Sequence, residues 1–474
     1  MFKINNLALN GGGKVINTSF TKYNTIGIEE KSAALQVLES GELSKFLGEW
    51  DPDFFGGTKV QEFERQCEGF FKVKHAIVVN SWTSGLIAAV GAIGIEPGDE
   101  VIVSPWTMSA SATAILHWNA IPVFADIDEQ SFCIDIKSIE DNITPYTKAI
   151  MAIDIFGRSA DMIGIMKLAK QYNLKVISDT AQAPGAMYHG KYAGTLADIG
   201  GYSLNYHKHI HTGEGGVVVT NNDTYADKLR LIRNHAEAVV EAKGDSDLSN
   251  MIGYNFRLGE IECAIGIEQI KKLPGLIKRR QQIAERLTNG FKELSGLQTP
   301  IVENNCTHVY YVYPMILDIE KLKISKEKIV EALRAEGVQG IGSKYQNIHL
   351  LPMYQKKVAY GSNGFPWTAH FSKRNIDYKK GIKELIRISK KEVIISFFKP
   401  FEEDDDSQLS LGNKFPYYHS ELGTILKRDV NILNQATLIY HFFSKRKLID
   451  YLNTFNIWFQ FENIAGKQIL FIKK

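Results

Sequence analysis

HAIVVNSWTSGLIAAVGAIGIEPGDEVIVS, residues 75–104, decides the fold. It opens on a short apolar run from His75 to Val79 and turns at Asn80-Ser81. SGLIAAVGAIGI then reads as a helix that the turn Glu96-Pro97-Gly98-Asp99 ends. EVIVS follows as a second apolar run. Neither run alternates polar and apolar residues, so both faces of each strand are covered. A parallel sheet with helices on each side does this, and a one-sided antiparallel sheet does not.

The pattern continues in both directions. KVQEFERQCEGFFKV, just before, has the apolar spacing of a helix. After residue 104 come a helix from Ser109, the strand PVFADI, another helix, KAIMAIDIF, the helix DMIGIMKLAKQYN and the strand LKVISD. Past GGVVVTNN the chain reads as helical, through DKLRLIRNHAEAV and EIECAIGIEQIKKL to KRRQQIAERLTNGFKEL. The expectation is an α/β protein with a three-layer α/β/α large domain. In such sheets ligands bind beyond the carboxyl ends of the strands. Strand-like HVYYVYPMIL, near residue 308, begins a smaller α+β unit. After Glu402-Glu403-Asp404-Asp405-Asp406 the character shifts. The tail from Ser407 is rich in Lys, aromatic residues and Asn and carries no motif. The expected division is 1–275 (its N-terminal segment packing with the small domain), 276–406 and an atypical tail, 407–474.

Bulk properties narrow the class. The chain has 474 residues, 44% hydrophobic and 23% charged, which suits a soluble globular protein with a large core. A formal net charge of +2 gives no reason to expect nucleic acid or a membrane as partner. Cys67, Cys133, Cys263 and Cys306 form no CxxC pair, so neither a zinc site nor a disulfide framework is implied. The start, MFKINNLALNGGGKVI, lacks the pattern of a signal peptide, and no apolar run approaches a membrane span. A cytoplasmic protein is expected.

Four segments at strand ends supply complementary chemistry. Asn80-Ser81-Trp82-Thr83-Ser84-Gly85 joins a strand to a helix, where free backbone N–H groups and the helix start favour an anion. It reads as a phosphate cup or as plain N-capping by Thr83 or Ser84. Ser178-Asp179-Thr180-Ala181-Gln182 follows the strand LKVI. Its carboxylate can hold a pyridinium nitrogen protonated, or cap a helix. Ser203-Leu204-Asn205-Tyr206-His207-Lys208-His209-Ile210-His211-Thr212-Gly213-Glu214-Gly215-Gly216 places a lysine near a glycine turn. Buried, Lys208 is a candidate Schiff-base nucleophile, because desolvation lowers its pKa; otherwise it is a solvated surface lysine. On a strand, His207, His209 and His211 would share a face and mimic a metal site. No carboxylate or cysteine accompanies them at ligand spacing, so no metal is expected. Trp106, after EVIVS, can stack on a flat heteroaromatic ring or fill the core.

Together these segments resemble the DegT/DnrJ-type sugar aminotransferases, a fold-type-I pyridoxal phosphate family. The matching words are LALNGGGKV, FFGGTKVQEFE, NSWTSGLIAAV, GDEVIVSPWT, VISDTAQAPGA, SLNYHKHIHTGEGG, GYNFRLGEIECAIG and HLLPMY, whose order and spacing match as well. The resemblance implies that Lys208 holds pyridoxal 5′-phosphate and later shuttles a proton. Asp179 is then the partner of the pyridine nitrogen, Gln182 lies near the phenolic oxygen, and Trp106 stacks on the ring. It makes Trp82, Thr83, Ser84 and Ser203 the phosphate cup, and Asn255 a residue that reaches the phosphate of a neighbouring subunit. A homodimer with shared active sites follows. His308, Tyr345 and His349 lie where the family shapes its sugar pocket.

The implied reaction moves an amino group from glutamate or glutamine to a nucleotide-linked 3- or 4-keto-6-deoxysugar. Its products serve surface polysaccharide such as O-antigen, or deoxyaminosugars. LGEWDPDFFGG is similar to the branch acting on inositols or 3-keto sugars, which leaves an inosose substrate open. A sugar dehydratase on the same fold and a non-catalytic cofactor-binding regulator are the other readings. Some dehydratase relatives carry histidine in place of the lysine. Here His207 and His209 flank Lys208, but the count to TGEGG keeps the lysine in register. The family's usual ending is not recognisable in IKELIRISK, residues 382–390, although FFKPFEEDD returns to the pattern.

Overall fold

The computed structural model describes residues 7–20, 22–342 and 345–369, together with the backbone of strands at 392–397, 458–464 and 467–473. The chain divides into two units. One comprises 1–316, 324–374 and 393–400, and the other 317–323, 375–392 and 401–474.

The first unit is built on the expected alternation. Helices α1 (Ile28–Ser40) and α2 (Thr58–Phe71) precede strand β1 (His75–Val79) and helix α3 (Trp82–Ala92). Then come β2 (Glu100–Val103), α4 (Ser109–His117), β3 (Ile121–Phe124), α5 (Ile136–Asn142), β4 (Thr147–Ile153), α6 (Met162–Tyr172) and β5 (Lys175–Asp179). A small hairpin of β6 (Met187–Tyr188) and β7 (Lys191–Tyr192) leads to β8 (Ile199–Ser203) and β9 (Gly216–Thr220). Seven strands form one sheet in the order β1-β9-β8-β5-β4-β2-β3. β2, β3, β4, β5 and β8 pair in parallel. β9 is antiparallel to both β8 and β1, so β1 runs with the majority. The sheet is thus mostly parallel, with one reversed strand that periodicity could not reveal.

Both faces are covered, as the unbroken apolar runs required. On one face Val60, Phe63 and Cys67 of α2 pack with Ala76, Val78, Val217 and Tyr202 of the sheet. Cys263, Ile267, Ile270 and Leu273 join them from the long helix that begins at Glu260. The three- and four-residue spacing of these positions is that of one helix face. Cys67, Cys133 and Cys263 are buried and all four thiols are free. A buried ion pair ties β1 to the helices around it: Arg233 bonds Glu64 at 2.6 Å and the Val78 carbonyl at 3.1 Å. Removing one partner of such a pair typically costs about 3–5 kcal/mol.

DKLRLIRNHAEAV is not one helix. It is α7 (Asp223–Arg233) and α8 (Ala236–Lys243), broken where His235 takes φ +54°. The next helical words are instead one helix, α9 (Glu260–Phe291), which runs across residue 275, the expected domain boundary. HVYYVYPMIL is only partly a strand. β10 (Leu297–Gln298) is followed by β11 (Val312–Leu317), and Tyr310 sits at φ +49°, which an extended strand does not allow.

Next come α10 (Ile319–Leu322), α11 (Lys326–Ala335), β12 (Ile341–Gly342), α12 (Pro352–Lys356) and β13 (Glu392–Phe397). β10, β11, β13 and β12 form a second sheet in that order. In the tail, β14 (Trp458–Ile464) and β15 (Lys467–Lys473) pair antiparallel with Phe459 opposite Ile472. The unrecognised stretch 382–390 and the rest of the tail lie outside the described residues.

Candidate active site

The carboxyl ends of β1, β2, β4, β5 and β8 share one edge of the sheet. That edge therefore gathers Asn80, Ser104, Asp154, Asp179 and Ser203 from distant parts of the sequence. At the start of α3 the cap is Ser81, rather than Thr83 or Ser84: its Oγ accepts from the Ser84 N–H at 3.0 Å. Ser84 Oγ donates to Asn80 Oδ1 at 2.6 Å, while Thr83 is exposed. Ser203 Oγ accepts from the Asn205 N–H. Gly216 comes so close to this turn that a Cβ would lie 2.8 Å from the Trp82 nitrogen. No side chain from residue 216 therefore screens the N–H groups at the helix start, where an anion is favoured.

Asp179 is buried at the end of β5, and both its oxygens accept hydrogen bonds. Trp82 Nε1 donates to Oδ1 at 2.7 Å, and Ser111 Oγ of α4 donates to Oδ2 at 2.7 Å. The Ala181 N–H also reaches Oδ1, at 3.2 Å. Trp82, expected in the phosphate cup, has its backbone in the first turn of α3 and sends its indole to the carboxylate. Next to this group, Asp154 accepts from Thr180 Oγ1 at 2.6 Å, from Ser178 Oγ at 2.9 Å and from the Ala160 N–H at 2.8 Å. Burial raises the Asp154 carboxyl to about 6, and the neighbouring Asp179 charge adds to the rise.

Lys208 lies in the turn after β8, only 8% exposed. Burial lowers its pKa to about 8, against the pull of the Asp179 carboxylate, which favours the charged form. Its Nζ stands 4.6 Å from the centre of the Tyr311 ring. This is a desolvated amine that feels the Asp179 charge, not a solvated surface lysine. The segment around it is not a strand, so His207, His209 and His211 share no face. His209 is buried and its Nε2 donates to the Val309 carbonyl at 2.8 Å; burial depresses its pKa strongly.

Gln182, Trp106 and Tyr345 come together. Gln182 Oε1 accepts from the Phe156 N–H at 2.9 Å, and its Nε2 donates to Tyr345 Oη at 3.3 Å. The Trp106 and Tyr345 rings stack at 6.0 Å and 22°. The Tyr345 loop is pinned to the end of β2 by a bond from the Ile348 N–H to the Pro105 carbonyl, 2.8 Å. His349 lies on that loop beside Phe124 with neither ring nitrogen bonded among the described residues, and burial lowers its pKa to about 4. His308 is occupied otherwise: it stacks on Tyr310 at 4.1 Å and its Nδ1 accepts the Tyr310 N–H. Asn255 is exposed, and its Oδ1 accepts from Arg257 Nε at 2.7 Å.

Three contributors escaped the sequence. Asp154 ends a strand just as Asp179 does, so the strand-end rule could have found it. Ser111 and Tyr311 carry no local signal, because only the folded sheet brings them to Asp179 and Lys208.

The donor set fits pyridoxal phosphate. A buried amine of lowered pKa suits its aldehyde, a fixed carboxylate suits a ring nitrogen, and the open helix start suits a phosphate. Comparison with known proteins agrees. Residues 35–379 match the DegT/DnrJ/EryC1/StrS aminotransferase family. The chain belongs to that family: it is an aminotransferase, and its cofactor is pyridoxal 5′-phosphate. It is 35% identical over 357 residues to the spore coat polysaccharide biosynthesis protein SpsC of Bacillus subtilis (strain 168), covering 74% of this chain and 89% of that one. It is also 35% identical over 299 residues to the GDP-perosamine synthase of Caulobacter vibrioides, covering 63% and 79%. Among solved structures it resembles Helicobacter pylori PseC, described as an aminotransferase involved in the biosynthesis of pseudoaminic acid. That match has a TM-score of 0.61 and 30% identity, over 71% of this chain and 87% of that one.

Proposed function

We propose that this enzyme transfers an amino group from glutamate or glutamine to a 3- or 4-keto-6-deoxysugar carried on a nucleotide, for surface polysaccharide. The observation that carries the reading is the buried Lys208 amine, its pKa lowered by burial and within electrostatic reach of Asp179. When bound, pyridoxal phosphate supplies an aldehyde that takes up the amine and a ring that withdraws electrons from the bond being broken. The chain's own residues do the rest. Lys208 Nζ attaches the cofactor and, once released, moves the proton between donor or sugar carbon and the cofactor. Asp179 holds the ring nitrogen and Trp106 covers the ring. Gln182 and Tyr345 shape the side next to it. Thr83, Ser84, Ser203 and the backbone at Trp82 hold the phosphate. His308, Tyr345 and His349 are the candidates to meet the sugar, His308 with its Nδ1 already held by the Tyr310 N–H.

The working unit in this reading is a homodimer in the cytoplasm, with Asn255 of each chain reaching the other's phosphate. Exposed Met108, Tyr206 and Ile252 lie within three residues of Trp106, Lys208 and Asn255, and a partner would cover them. Among the described residues no helix is long and apolar enough to cross a membrane. The proposed division remains 1–275, 276–406 and a tail, 407–474.

Incubation with pyridoxal phosphate, glutamate and a panel of nucleotide keto sugars tests this. Mass spectrometry should show one sugar whose carbonyl oxygen has become an amine, and 2-oxoglutarate formed in equal amount. A deoxygenated keto sugar released without nitrogen would show a dehydratase instead.

A further inference from the structure

Trp82 touches both ends of the cofactor site. Its backbone N–H lies in the first turn of α3, beside the Ser81 cap, where a phosphate is expected. Its indole runs the other way, beneath β8, and donates to Asp179 at 2.7 Å. The channel it follows is lined by glycine. A Cβ on Gly201 would meet the indole at 2.1 Å and one on Gly85 at 2.7 Å. Gly201 is also the register partner of Asp179 across β5 and β8. The small residues around Trp82 therefore do more than expose backbone to an anion. They clear a path for one side chain to reach the carboxylate.

We infer that Trp82 is a positioning residue whose indole N–H fixes the Asp179 carboxylate toward the cofactor's ring nitrogen. Ser111 is its counterpart on the other oxygen, at 2.7 Å. With a donor on each oxygen the carboxylate cannot rotate about its Cβ–Cγ bond without breaking both. It keeps one orientation before the ring arrives, and less ordering is needed on binding. Because one residue belongs to both the phosphate turn and the carboxylate bond, the distance between these two anchors is set within a single side chain.

The inference rests on the cofactor assignment, and the test separates the two. The probe is 4-deoxypyridoxine 5′-phosphate, which lacks the aldehyde and cannot bond to Lys208. Its affinity for the cofactor-free full chain is measured for wild type and for Trp82→Phe, which keeps a ring in the channel and loses the N–H. The same is done with the 1-deaza analogue, in which carbon replaces the ring nitrogen. Trp82→Phe is expected to weaken the deoxypyridoxine compound about tenfold, the scale of a lost hydrogen bond to a charged group, and to leave the 1-deaza analogue unchanged. Ser111→Ala should do the same, which covers the case in which Trp82→Phe does not fold. Equal weakening of both analogues would assign Trp82 to packing alone, and no weakening would remove the role; either overturns the inference while the cofactor assignment stands. Failure of the wild type to bind the probe would overturn both.

Discussion

Two walls of the site differ in how their polar atoms are occupied. Around the end of β5, the carboxylates of Asp179 and Asp154 take six hydrogen bonds from Trp82, Ser111, Ala181, Thr180, Ser178 and Ala160. On the loop that faces it, buried Asn347 Oδ1 and both ring nitrogens of His349 have no partner among the described residues. Buried polar atoms are rarely left this way, since each costs about 1–3 kcal/mol. The two carboxylates of the first wall are satisfied by the chain itself, which suits a fixed support for one unchanging cofactor. In the proposed reading the second wall keeps its bonding capacity for a hydroxylated substrate, so that the chemistry belongs to the first wall and the choice of sugar to the second.

Substitutions on the two walls should therefore separate. Lys208→Ala would remove the proposed attachment point and proton carrier, and should lower turnover by about ten-thousandfold or more, measured as 2-oxoglutarate formed from glutamate. A variant that kept a tenth of wild-type activity would break the division. His349→Ala should lower kcat/KM for the nucleotide sugar about tenfold, while the half-reaction with glutamate alone, followed by cofactor absorbance, keeps its rate. Equal loss in both would move His349 to the cofactor wall.

A smaller effect is one of stability. The folded-state pKa of Asp154, about 6, stands above the ordinary 3.8. Between these values the folded chain holds more protons than the unfolded one, so this group's contribution declines as pH rises from about 4 to 6. Denaturant titrations of the cofactor-free protein should show wild type losing stability across that window relative to Asp154→Asn. Parallel curves would mean that Asp154 does not titrate there.

The same division governs what could be read from the sequence. The alternating strands and helices were legible because apolar runs and turn residues are local. So were Asp179 and Lys208, each marked by a strand end or a glycine turn beside it. The reversed strand β9 was not, because direction depends on pairing rather than on composition. Neither was the path of the Trp82 indole, which is set by glycines 3 and 119 positions away, at Gly85 and Gly201. His308 was expected beside the substrate. Its Nδ1 closes a local turn, a bond that the sequence order HVYY does not announce.

Borohydride trapping tests the central claim most directly. The full chain is loaded with pyridoxal phosphate, reduced, digested and mapped by mass spectrometry. The account predicts the phosphopyridoxyl group on Lys208, in the peptide that contains NYHKHIHTGEGG. A label on another lysine, or a fully loaded protein with residue 208 unmodified, would contradict it.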